Sequence, residues 1–201
     1  MKGFLIRLLP AMFSLLYAGV VQAQEGFSKD GAALYAVGAG YEWMPDAYSA
    51  NGFALDVRAR FYTSGRMFCE LLGHWGTHDG DKTVVQGTKS FSVHDERNCL
   101  LGAVGPGFDV FQSDGKRFCA YVKGLLGYGI RSSRYDDYRV ADDGTGSVTL
   151  GCEDDKKGIA AVVGAGLDIR YRHWTLTPSV DALYVGGKCD VSFTVSVGIF
   201  Y

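Results

Sequence analysis

Three groups of residues in this chain have the types and spacing that chemistry uses. Ser92, His94 and Asp95 lie within four positions and supply the nucleophile, base and acid of a hydrolase. His74-x-x-x-His78 with Asp79 and Asp81 supplies metal-ligand types. A third segment carries Asp136, Asp137, Asp142, Asp143, Glu153, Asp154 and Asp155 among Arg131, Arg134, Arg139, Lys156 and Lys157, the oxygen-rich composition of a calcium site or of a bridge to polyanionic lipid. A plainer reading outweighs each of them. No G-x-S-x-G elbow surrounds Ser92, and Gly144-Thr145-Gly146-Ser147 has the wrong spacing. The two histidines need a helix to share a face at i, i+4, but their segment runs from strand into loop. The third segment mixes both signs, as a solvated loop does. Gly102-x-x-Gly105-x-Gly107 and Gly124-x-x-Gly127-x-Gly129 are followed by no helix that would hold a phosphate. The expectation is no catalytic set, no bound metal and no cofactor, with a lipid hydrolase on Ser92, His94 and Asp95 as the minor alternative.

A larger set of charges is positioned by periodicity. Over residues 53–62, Phe53, Leu55, Val57, Ala59 and Phe61 point one way and Ala54, Asp56, Arg58, Arg60 and Tyr62 the other. Residues 158–171 and 191–201 alternate as cleanly, and 33–43, 66–76, 98–111, 117–130 and 174–185 less so. That makes eight strands, each about ten residues or longer, above the usual 5 to 6. Their polar faces collect Glu42, Asp56, Arg58, Arg60, Glu70, Lys123, Asp168, Arg170 and Asp181, beside many Gly and Ala. The connections alternate in length: 63–65, 112–116 and 172–173 are tight turns, while 44–52, 77–97, 131–157 and 186–190 read as outer loops. Alternating lengths with both termini at the short-turn end describe an up-and-down meander.

Composition and targeting narrow the classes. With 20 Lys plus Arg against 22 Asp plus Glu, no basic surplus exists for a nucleic-acid partner. Residues 1–23 have a positive start at Lys2 and Arg7, an apolar run over 8–21 and the small-residue site Val21-Gln22-Ala23, so they read as a cleaved signal peptide. The remaining 24–201 form one domain, and no stretch in it approaches the 18 apolar residues of a spanning helix. A membrane form must then be a closed barrel. Five cysteines survive cleavage without a C-x-x-C, and any disulfide is expected to join two of Cys99, Cys152 and Cys189.

Aromatics at strand ends separate a membrane barrel from a soluble one, which would also alternate. Trp43, Trp75, Tyr128 and Tyr184 fall at the long-loop end, and Trp174 and Tyr201 are among those at the short-turn end, as two interfacial belts require. The expectation is an all-β, eight-stranded antiparallel up-and-down transmembrane β-barrel. The signal ending VQA, the eight alternating segments and the closing VSFTVSVGIFY together resemble the small OmpA/OmpX-type outer-membrane β-barrels, over essentially the whole of 24–201. That resemblance implies an outer membrane of a Gram-negative-type bacterium, contact with its lipid and lipopolysaccharide, and recognition of the C-terminal strand by barrel-assembly machinery. The function it favours is structural or adhesion-type, the outer loops meeting a host or cell-surface ligand. A narrow channel through the charged lumen is the second reading, and a secreted, lipocalin-like barrel for a small hydrophobic molecule the third.

Overall fold

The computed structural model describes residues 31–45, 47, 51–86, 89–113, 117–140 and 146–201. The expected signal segment, Asp142 and Asp143 lie outside the described residues. Eight strands follow in order: β1 (Ala33–Trp43), β2 (Asn51–Tyr62), β3 (Met67–Gln86), β4 (Lys89–Gln112), β5 (Phe118–Val140), β6 (Gly146–Tyr171), β7 (Trp174–Val185) and β8 (Lys188–Phe200). Each pairs antiparallel with its sequence neighbour, and β1 closes on β8 from Leu34↔Phe200 to Trp43↔Val191. Closure leaves no edge within the barrel wall, the condition for strands to cross hydrocarbon.

The faces follow the alternation of the sequence. On β2, Asp56, Arg58 and Arg60 are buried while Phe53, Leu55, Val57 and Phe61 are exposed, and the same division runs around the wall. The greasy side therefore points out and the charges point in. A soluble barrel for a hydrophobic ligand needs the reverse, which removes the third reading.

Two expected outer loops are not loops. β3 and β4 stay paired from Met67↔Phe108 to Gln86↔Lys89, so most of 77–97 is strand. β5 and β6 stay paired to Val140↔Gly146, past an irregularity between Tyr135 and Asp137, so most of 131–157 is strand as well. β2 leaves β3 at Thr77, and β7 reaches β6 only at Ala160. Four strands thus rise beyond the wall as a sheet, and the nine residues 78–86 alone give roughly 30 Å of strand. The outer connection expected at 186–190 contracts to Gly186–Gly187, whose φ values of 60° and 85° suit a two-residue hairpin turn.

The narrow interior accounts for glycine on the inner face. A Cβ at Gly107 would enter the Phe68 ring, and one at Gly127 would run into the Gly102 carbonyl oxygen and the Ala103 Cα on the neighbouring strand. Backbone cannot yield as a side-chain tip can. Gly127→Ala is expected to cost about 1–3 kcal/mol in a urea unfolding titration, the range of an overpacked core; an unchanged midpoint would show that the two strands can separate at no cost.

Candidate functional site: the charged lumen and the raised hairpins

All nine charges expected in the lumen are buried there. Arg58 lies at the centre, its Nη2 donating to Asp56, to Asp181 at 2.9 Å and to Thr194 at 2.8 Å, and its Nη1 to the Tyr121 hydroxyl at 3.3 Å. Arg60 donates from Nε to Glu70 and from Nη1 to Asp168, each at 2.9 Å, and its guanidinium stacks over the rings of Tyr121 at 4.0 Å and Phe68 at 4.5 Å. Lys123 joins Glu70 at 2.7 Å to Asp181 at 3.2 Å. Arg170 contacts Asp168 at 3.6 Å and stacks on Phe200 at 4.1 Å. Tyr62, Phe68, Tyr121 and Phe200 complete an aromatic layer toward the short-turn end. This interior is a packed, hydrogen-bonded plug.

The nine are part of a larger network. His74 bridges Asp56, 2.6 Å from Nδ1, and Glu42, 3.2 Å from Nε2, contacts that a ring donating from both nitrogens satisfies. Thr177 donates to Asp168 at 2.9 Å, and Arg131 pairs with Asp190 at the outer mouth. Strand parity carried the signal for His74, which lies four residues beyond Glu70 on β3. Arg131 and Asp190 sit one residue beyond the strand ends that the hydrophobic alternation marks, where period-two reading stops. Among the described residues, the buried carboxylates Glu42, Asp56, Glu70, Asp95, Asp109, Asp168, Asp181 and Asp190 outnumber the buried cations Arg58, Arg60, Lys123, Arg131 and Arg170.

The strands disperse the residue sets that looked chemical. On β4, Ser92 and His94 face outward while Asp95 is buried and bonded to Arg97 at 2.9 Å, so no triad forms. On β3, His74 and His78 face the lumen and Asp79 and Asp81 face solvent. In the third segment the charges pair across β5 and β6: Arg134 with Glu153 at 2.8 Å, Ser132 with Asp155 at 2.6 Å, and Lys156 with Asp154 at 3.2 Å along β6. Cys99, facing the lumen, and Cys189, exposed, are free thiols, so the disulfide expected between two of Cys99, Cys152 and Cys189 does not form. The aromatics Trp43, Trp75, Tyr128 and Tyr184 point outward at the long-hairpin end, with Trp174 exposed and Tyr201 half-buried at the opposite end.

One outward contact ties the arms of the first hairpin. His94 Nδ1 lies 2.9 Å from Asp81 directly opposite it, and its backbone N–H donates to Asp136 of β5 at 3.2 Å. The Asp81 hydrogen bond raises the His94 pKa above the ordinary 6.5. The Gly151 and His94 backbone N–H groups hold the Asp136 carboxyl below its ordinary value. A raised imidazolium pKa makes this attraction complete below the unfolded-state value and lost as pH rises through the folded one. The His94 ring signals should titrate above 6.5 in an NMR pH series and move back down in Asp81→Asn; a midpoint that ignores the substitution would remove the pairing.

Above the mouth, Arg97, Arg131, Ser133, Tyr135, Lys156 and Lys188 line a cleft of about 250 Å³ with Asp154 as its one acid. Four of its side chains are cations.

Solved structures share this architecture. Ail, the attachment invasion locus protein of Yersinia pestis, in complex with the heparin analogue sucrose octasulfate, matches with a TM-score of 0.57 at 14% identity, covering 86% of this chain and 99% of that one. A second Ail structure matches at 0.52 and 11% with the same coverage. No family model and no curated protein sequence matches the chain. Eight antiparallel strands closed on themselves, with ion pairs within and an apolar wall without, give this chain the fold of the small, OmpA/OmpX-type outer-membrane β-barrels.

Proposed function

We propose that this chain is a surface-exposed binding protein of a Gram-negative-type outer membrane, exported by residues 1–23 and holding its raised hairpins out to anionic, sulfated or phosphorylated saccharides. The cleft on the raised sheet carries this reading: Arg97, Arg131, Lys156 and Lys188 converge there, Arg97 held by Asp95, Arg131 by Asp190 and Lys156 by Asp154, on a rigid ladder that leaves little ordering cost on binding. The Ail complex with a heparin analogue supports the ligand class. Trp43, Trp75, Tyr128 and Tyr184 at one level, with Trp174 and Tyr201 at the other, seat the wall between the two lipid interfaces. β8, with Tyr201 directly after it, is the segment offered to barrel-assembly machinery. The packed lumen supports display over conduction.

The test is binding of the folded barrel to immobilised heparin. Binding should weaken with salt, compete with sucrose octasulfate, and fall about tenfold or more in the doubly reversed Lys156→Glu, Lys188→Glu variant, as expected when charge-assisted contacts become repulsive. Heparin binding unaffected by that double reversal, or none at all, would overturn the proposal.

A further inference from the structure

The outer mouth of the lumen gathers metal-ligating side chains from three strands. Glu42 of β1, Cys99 of β4 and Asp190 of β8 meet there: a Glu42 carboxylate oxygen, the Cys99 sulfur and an Asp190 carboxylate oxygen lie within 4.8 Å of one another, and all three residues are buried. β4 faces the adjoining β1 and β8 across the lumen, so only the closed barrel assembles this group. A second observation points to a ligand. Glu42 Oε2 is engaged by His74 at 3.2 Å, but Glu42 Oε1 is buried with no hydrogen-bond partner. A buried carboxylate oxygen without a donor is costly, and a cation satisfies it.

We propose that Glu42, Cys99 and Asp190 form a site for a divalent metal ion of the zinc class. One sulfur with two carboxylates is a borderline-soft donor set; calcium and magnesium take oxygen alone. Zinc bonds of about 2.3 Å to sulfur and 2.0–2.2 Å to oxygen require ligand atoms about 3.5 Å apart, which small side-chain torsions reach from the present spacing. Three protein ligands leave the fourth position to water. On binding, the Cys99 S–H bond breaks, the proton leaves to solvent and the sulfur electron pair forms the metal–sulfur bond. The thiolate and two carboxylates against a divalent ion leave one negative charge, which Arg131, paired with Asp190, offsets. Outer partners orient both carboxylates, His74 on Glu42 and Arg131 on Asp190. Met44 and Leu101, in the same buried cluster as Cys99, shield the site from bulk water.

The test titrates Co²⁺, and then Zn²⁺, into the reduced, folded barrel. One equivalent of Co²⁺ should produce thiolate-to-cobalt charge-transfer absorption in the near ultraviolet, displaced by Zn²⁺. Cys152→Ser with Cys189→Ser should leave it intact, Cys99→Ser should abolish it, and His74→Gln should weaken affinity on the order of 10–100-fold, as loss of an outer-shell partner does. No absorption in the folded wild type, or absorption surviving in Cys99→Ser, would overturn the site. If Cys99→Ser does not fold, zinc-edge X-ray absorption on the Cys152→Ser, Cys189→Ser protein decides: a sulfur neighbour at about 2.3 Å supports the site, and oxygen and nitrogen neighbours alone overturn it.

Discussion

Replacing Arg60 with methionine should lower the unfolding free energy by about 3–5 kcal/mol, because it removes one partner of a buried ion pair and leaves the others charged. The guanidinium is the sole cation that reaches both Glu70 and Asp168 with 2.9 Å hydrogen bonds among the described residues, and it also fills the space between the Tyr121 and Phe68 rings. Glu70 keeps Lys123 at 2.7 Å, and Asp168 keeps Thr177 at 2.9 Å and Arg170 at 3.6 Å, so the network is weakened rather than erased. Arg60→Lys keeps the charge but loses the planar fork and the stacking, and should fall between the variant and the wild type. The measurement is reversible urea unfolding in lipid vesicles, followed by intrinsic fluorescence. A loss below about 1 kcal/mol for Arg60→Met would mean that water enters the lumen freely and screens these charges.

The second large effect comes from the opposite face. Val57 lies midway along β2, between Phe53 and Phe61, and its neighbours across the ladder include Val37, itself paired with Val197. Arginine at this position should cost about 2–4 kcal/mol, the range for a cation turned toward lipid near the bilayer midplane. Val85 offers a control on the same molecule. It is 69% exposed against 41% for Val57, but it stands on the raised arm of β3, beyond the wall. Val85→Arg should change stability by no more than about 0.5 kcal/mol, as surface substitutions in water do. Equal effects at the two positions would show that the apolar band is not wetted by hydrocarbon.

Much of the wall was legible from residue order alone. A strand places successive side chains on opposite faces, so Phe53 to Tyr62 divides into two sets before any partner is known, and a charge such as Arg58 can go only where lipid is not. The lengths of the central strands were not legible. From Thr77 to Arg97 and from Arg131 to Lys157 the outward positions, such as Asp79, Asp81, Glu96, Arg134 and Glu153, are polar and the buried inner ones include His78, Asp95 and Arg131, so apolar alternation disappears although the backbone pairing continues to Gln86↔Lys89 and Val140↔Gly146. Turn-rich, charged composition then imitates a loop. The same truncation hid Arg131 and Asp190, each one residue past a boundary set by hydrophobicity.

Residue order by itself therefore determined the strand count, the two faces, the closing order and the identity of the charges that must be enclosed. These depend on local geometry and on the cost of placing a charge in hydrocarbon. Only the tertiary structure decided which charges meet. Arg60 with Asp168, His74 with Glu42, and the convergence of Glu42, Cys99 and Asp190 each join strands far apart in the chain. Such contacts are set by ring closure, strand tilt and register, which act across the barrel and leave no period in any single segment.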